Sequence, residues 1–219
     1  MKLTAFQYGK TLLPERMAFQ GGADDKKLPI ALLFFLLETD GKKLLVDVGC
    51  DTMPGFVVTD FKSPVMMLEE YGVSRDEIDA ILLSHTHHDH IDCLRHYPNA
   101  TVYVQENEAD EAKEYIRFDN LICTFKDTLK ISENITMKHI GGHSPASSVV
   151  IIESPGKNFV LCGDECYTRE NLAKRKPTGS SFCIKKSIAF VEEYGKDCYN
   201  TVLFHDPDLV GKTGCVRLI

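Results

Sequence analysis

The segment His85-Thr86-His87-His88-Asp89-His90 constrains this chain more than any other feature. It closes an apolar, strand-like stretch, Ile81-Leu82-Leu83-Ser84. Imidazoles and a carboxylate packed this densely are costly to bury unless a cation holds them together. Neutral imidazole nitrogen and carboxylate oxygen are the donors that a borderline divalent ion such as zinc takes. Residues two apart on an extended segment share a face, so His85 and His87 reach one ion. The turn that follows directs Asp89 and His90 toward a second ion beside it.

Three further candidate ligands stand just after apolar runs. His143 lies in Gly141-Gly142-His143-Ser144-Pro145, Asp164 in Leu161-Cys162-Gly163-Asp164, and His205 in Leu203-Phe204-His205-Asp206. Strand ends that feed one rim are where a sheet protein gathers a polar site. The complete order, His-x-His-x-Asp-His, then His, Asp and His, resembles the metallo-β-lactamase superfamily from about Leu36 to His205. That resemblance implies a four-layer αββα sandwich, an α/β fold that periodicity alone would not show. It also implies two divalent metal ions, one held by His85, His87 and His143, the other by Asp89, His90 and His205, with Asp164 bridging. Zinc leads as the metal, and iron, manganese or cobalt suit the same donors. Water shared by two cations loses a proton near neutral pH, and the resulting metal-bridging hydroxide attacks a carbonyl or phosphoryl centre. Asp89, beside that nucleophile, can receive and hand on a proton. The expected chemistry is hydrolysis without a covalent intermediate.

Within the superfamily the chain looks most like the N-acyl-homoserine-lactone lactonase branch. Leu28-Pro29-Ile30, Phe35-Leu36-Leu37-Glu38-Thr39, Gly142-His143-Ser144-Pro145 with Ser147-Ser148, and Asp164-Glu165-Cys166-Tyr167-Thr168 carry that likeness. In those enzymes a tyrosine three residues after the bridging aspartate reaches the substrate, and Tyr167 occupies that place. Its phenol either donates to a developing oxyanion or is a packed aromatic with its hydroxyl at the surface. Asp47, ending the apolar Leu45-Val46-Asp47-Val48-Gly49, either orients a ligand histidine or merely starts a turn. His88, Ile91, Asp92 and Cys93 depart from the lactonase pattern, and the stretch after Asp47 is shorter. His88 reads as an off-face residue pointing away from the ions. Cys166 reads as a small wall of the pocket rather than a redox thiol.

The remaining sequence bounds this picture. A length of 219 residues suits one domain, 1–219, with no linker dividing it. The net charge of −7 argues against sequence-independent nucleic-acid binding, which needs a positive surface. The longest apolar run, Leu28 to Leu37, is half a membrane span and reads as a buried strand. Without a secretion pattern at the N-terminus, the expectation is a cytoplasmic protein whose eight cysteines are reduced. Apolar runs predict strands near 31–38, 43–48, 79–84, 100–105, 135–140, 147–153, 158–163 and 201–204. Helices are expected from Pro64 to Gly72, at the capping box Ser74-x-x-Glu77, near 106–116 and near 182–194. The leading expectation is a di-metal hydrolase that opens a small carbonyl ester, lactones first, with Asp89 and Tyr167 as catalytic residues. A phosphodiesterase or thioesterase on the same fold is one alternative, and a non-catalytic metal-binding sensor or interaction module is another. The partner expected is a small-molecule substrate. Oligomeric state is not legible in the sequence.

Overall fold

The computed structural model describes all 219 residues. Twelve strands form two sheets. In chain order they are β1 (Lys2–Pro14), β2 (Lys27–Thr39), β3 (Lys42–Val46), β4 (Ala80–Leu82), β5 (Thr101–Gln105), β6 (Ile122–Phe125), β7 (Thr128–Ser132), β8 (Ile135–His139), β9 (Ser148–Ile152), β10 (Asn158–Leu161), β11 (Tyr199–Val202) and β12 (Gly214–Arg217). The helices are α1 (Glu15–Ala18), α2 (Pro64–Tyr71), α3 (His88–Ile91), α4 (Ala109–Tyr115), α5 (Arg169–Ala173) and α6 (Ile184–Tyr194). One sheet runs β12-β1-β2-β3-β4-β5-β6 and the other β11-β10-β9-β8-β7.

Burial decides how these parts stack. Side chains of β2 are buried from Ile30 through Leu37 on both faces, as a central strand covered on each side requires. Leu33, Phe35 and Leu37 face Met137, Val150 and Leu161 of the second sheet and Phe204 just past β11, forming the core between the sheets. Leu32, Phe34 and Leu36 face outward onto Met67, Leu68 and Ala109, so α2 and α4 cover that side. Phe190, Val191 and Tyr194 of α6 cover the outer face of β9 and β10. Layers therefore follow the order helix, sheet, sheet, helix, as the resemblance implied. Each buried Phe or Leu in these layers contributes about 2 kcal/mol.

Local signals hold where their chemistry is specific. Pro64 opens α2, and Gly72 ends it in the left-handed region at φ 92°. The Ser74/Glu77 capping box forms in both directions but caps a single 3-10 turn. The helix expected near 106–116 begins as a 3-10 turn, and its α-helical part is Ala109–Tyr115. Four strands lie outside the sequence expectation: β1, β6, β7 and β12. The strand before the histidine cluster ends at Leu82, earlier than expected, and His88–Ile91 form a helical turn. All eight cysteines are free thiols, with Cys50, Cys93, Cys162 and Cys166 buried. No helix is long and apolar enough to cross a membrane.

Candidate metal centre

The rim where both sheets end gathers every residue of the predicted constellation. His85, His87, Asp89 and His90 leave the C-terminal side of β4. His143 follows β8, Asp164 follows β10 and His205 follows β11. Two backbone features make this convergence possible. Asp47 adopts φ 53°, a left-handed conformation that side chains rarely take. That turn lets its amide donate to the carbonyl of Leu82 (3.1 Å) and the Val48 amide to that of His90 (2.9 Å). Gly163 also has a φ of 53°, and a Cβ there would lie 2.9 Å from Ser84. Its lack of a side chain brings the Asp164 turn against the β4 exit.

The donor atoms form two adjacent groups. One atom from each of His85, His87, His143 and Asp164 lies within 4.8 Å of the others, and so does one from each of Asp89, His90 and His205. Asp164 faces both groups. Its Oδ2 is 3.5 Å from His143 Nε2 and 3.9 Å from His85 Nε2. Its Oδ1 is 2.9 Å from His205 Nε2 and 3.1 Å from His90 Nε2.

Hydrogen bonds on the far sides of the rings set the tautomers. His205 Nδ1 donates to the carbonyl of Ala31 (2.9 Å), and His143 Nδ1 to that of Ser180 (3.0 Å). His90 Nδ1 donates to Asp47 Oδ2 at 2.6 Å. The Ser84 hydroxyl donates to the same carboxylate (2.7 Å) and accepts from His85 Nδ1 (3.0 Å). In the neutral rings four Nε2 lone pairs therefore point inward. His87 presents Nδ1, 2.9 Å from His143 Nε2. The Nε2 atoms of His85 and His90 are buried and make no hydrogen bond, with Asp164 oxygens 3.9 Å and 3.1 Å away. Buried polar atoms are seldom left unsatisfied, and inward lone pairs beside a carboxylate fit divalent cations.

Electrostatics without a cation shows the same demand for positive charge. Burial holds the His85 imidazole well below its ordinary range and lowers that of His143 to about 4. Burial opposes protonation of His90 and His205 as well, but the Asp164 carboxylate overrides it and raises both. Burial likewise disfavours ionised Asp164, yet His205 and His90 hold it well below the usual carboxylate range. A negative group enclosed by imidazoles thus draws protons where cations would serve.

Tyr167 is buried, and its ring stacks on His205 with centroids 5.1 Å apart. Its hydroxyl donates to Asp164 Oδ2 at 2.7 Å and is therefore not at the surface. His88 turns away from the cluster, its Nε2 2.8 Å from the carbonyl of Thr52. Cys166 is fully buried, and burial raises its thiol far above the ordinary range. Above the donors lies a cavity of about 240 Å³ walled by Leu13, Met17, Ile30, Met53 and Phe56. Met17 and Phe56 also line an adjoining groove of about 600 Å³. Sequence reasoning missed these wall residues, along with Ser84 and the buried Glu165.

Known proteins are similar to this chain in sequence and in fold. N-acyl homoserine lactonase AiiB of Agrobacterium fabrum is 24% identical over 169 residues, covering 64% of this chain and 60% of its own length. N-acyl homoserine lactonase AiiA of Bacillus thuringiensis subsp. kurstaki is 25% identical over 203 residues, 80% of each protein. The fold superposes on an N-acyl homoserine lactone hydrolase solved with N-hexanoyl-L-homoserine at its catalytic metal centre. That match has a TM-score of 0.82 at 21% identity, covering 96% of this chain and 95% of the other. The sequence profile of the metallo-β-lactamase superfamily matches residues 33–190, which span most of both sheets and six of the seven candidate donors. By that match, and with the donors gathered at the shared sheet rim, the chain belongs to the metallo-β-lactamase superfamily and is a metal-dependent hydrolase.

Proposed function

We propose that residues 1–219 form one catalytic unit that hydrolyses a small carbonyl ester, a lactone such as an N-acyl homoserine lactone above all. In this reading His85, His87 and His143 would hold one divalent cation and Asp89, His90 and His205 a second, with Asp164 serving both groups. The observation that carries it is Asp164, whose two oxygens face separate histidine groups. Zinc, iron, manganese or cobalt there would supply Lewis acidity to a carbonyl oxygen and acidify water.

The protein's own groups do the rest. Asp89 is partly open to the cavity, with Oδ2 3.7 Å from His90 Nε2 and 3.8 Å from His205 Nε2. It accepts the proton released when water adds to the ester carbonyl, then passes it to the departing ring oxygen. The Tyr167 hydroxyl, kept protonated by burial and by Asp164, donates to the oxygen on which charge develops. Leu13, Met17, Ile30, Met53 and Phe56 exclude water and receive an acyl chain, with the adjoining groove taking its far end. Opening the ring breaks the acyl–oxygen bond, adds water and leaves a hydroxy acid.

The two lactonase relatives support this reading, as does an apolar wall over a polar floor. The test is turnover by zinc-loaded protein of acyl-homoserine lactones of graded length against bis-p-nitrophenyl phosphate and a thioester. Lactone hydrolysis is expected to dominate. Cleavage of the phosphate diester alone would overturn the assignment.

A further inference from the structure

Glu165 is fully buried, directly follows Asp164, and has no part in the chemistry above. Its Oε1 accepts from the amides of Gly142 (2.9 Å) and His143 (3.2 Å) and from the hydroxyl of Ser147. Its Oε2 is buried without a partner. A Cβ at Gly142 would collide with that oxygen and crowd Ser187, so the glycine is what admits the carboxylate. Placing a carboxylate here is costly, and burial raises its carboxyl to about 7. The same loop is tied on its other side, where the Ser144 hydroxyl donates to Glu108 at 2.6 Å.

We propose that Glu165 is a positioning residue that sets the spacing between His143 and Asp164. The inference rests on the reading of both as cation donors. These two residues come from different strands, β8 and β10, and no backbone ladder joins the turns that carry them. One side chain spans that gap: its backbone continues from Asp164, and its Oε1 grips the amide of His143 itself. Reach therefore matters more than charge. Aspartate would be roughly 1.5 Å too short to keep the three donors without pulling the loop. Glutamine has the full reach and keeps an acceptor oxygen.

The experiment compares Glu165→Asp with Glu165→Gln in the full chain. Metal-free protein is titrated with zinc against a chromophoric chelator, and the melting temperature of each metal-free variant is recorded alongside. E165D is expected to bind zinc about tenfold to a hundredfold more weakly than wild type, with E165Q at least tenfold tighter than E165D. Any other ranking overturns the proposal. E165D at or above E165Q would show that charge is what matters. Wild-type zinc affinity in both, with a lowered melting temperature, would show a packing role only. If E165D does not fold, Ser147→Ala decides. Losing one of three donors is expected to weaken zinc binding about fivefold, and unchanged affinity overturns the proposal. Zinc affinity is read without substrate. A wild-type protein that binds zinc but opens no lactone refutes only the substrate, and one that binds no zinc refutes the metal centre.

Discussion

The floor and the wall of the cavity are built by opposite means. Four imidazoles of the floor are buried and each is held by a named hydrogen bond: His90 by Asp47, His85 by Ser84, His205 by Ala31, His143 by Ser180. The wall is Leu13, Met17, Ile30, Met53 and Phe56, apolar side chains from β1, α1, β2 and the loop after β3. Directional bonds fix the floor atom by atom, as catalysis requires. Dispersion and water exclusion shape the wall, which tolerates exchange of one apolar residue for another. Under the proposed function, reaction type belongs to the floor and substrate choice to the wall.

Substitutions can break or sharpen that division. The largest effect is expected for Asp164→Ala, which removes the carboxylate common to both histidine groups. Lactone kcat/KM should fall on the order of 10³-fold or more, with fewer zinc ions retained per chain by elemental analysis. Activity within tenfold of wild type would remove Asp164 from the centre of the floor. Tyr167→Phe should lower kcat about 10²-fold and move KM little, because the lost donor serves the transition state. A lowered melting temperature with kcat intact would instead assign Tyr167 to packing. The smallest effect is expected for Phe56→Ala: about a tenfold rise in KM for long acyl chains, with kcat preserved. The shortest lactone should not distinguish it from wild type. A general loss of kcat in this variant would erase the contrast between wall and floor.

The floor was legible in the sequence because its residues are chemically expensive. Imidazoles crowded at a strand end have few uses, and Asp47 before a glycine at another strand end invited the role of orienting a ring. Elements with continuous apolar runs, such as β2, were legible for a related reason: Ile30 to Leu37 can only be buried. β1 was not, because Thr4, Gln7, Gly9, Lys10 and Thr11 interrupt its pattern, although most of the strand is buried. Edge strands β6 and β7 are mostly half-exposed and carry no strong alternation. The wall was invisible because its members are ordinary apolar residues spread from Leu13 to Phe56, gathered only by the tertiary fold. Glu165 was missed because a lone acid beside another reads as solvated surface. Its burial depends on partners at Gly142, His143 and Ser147 that no local pattern announces.

Phe204 sits in the core between the sheets, its ring 4.7 Å from Phe35 and 5.6 Å from His90. It immediately precedes His205 in the chain. Four of the seven candidate donors ride on one sheet and three on the other, so their separation is a mechanical readout of how the two slabs rest together. Oily residues deep in the interior thus act as shims. Trimming one would detune the chemistry at the rim while leaving every polar atom of the site in place.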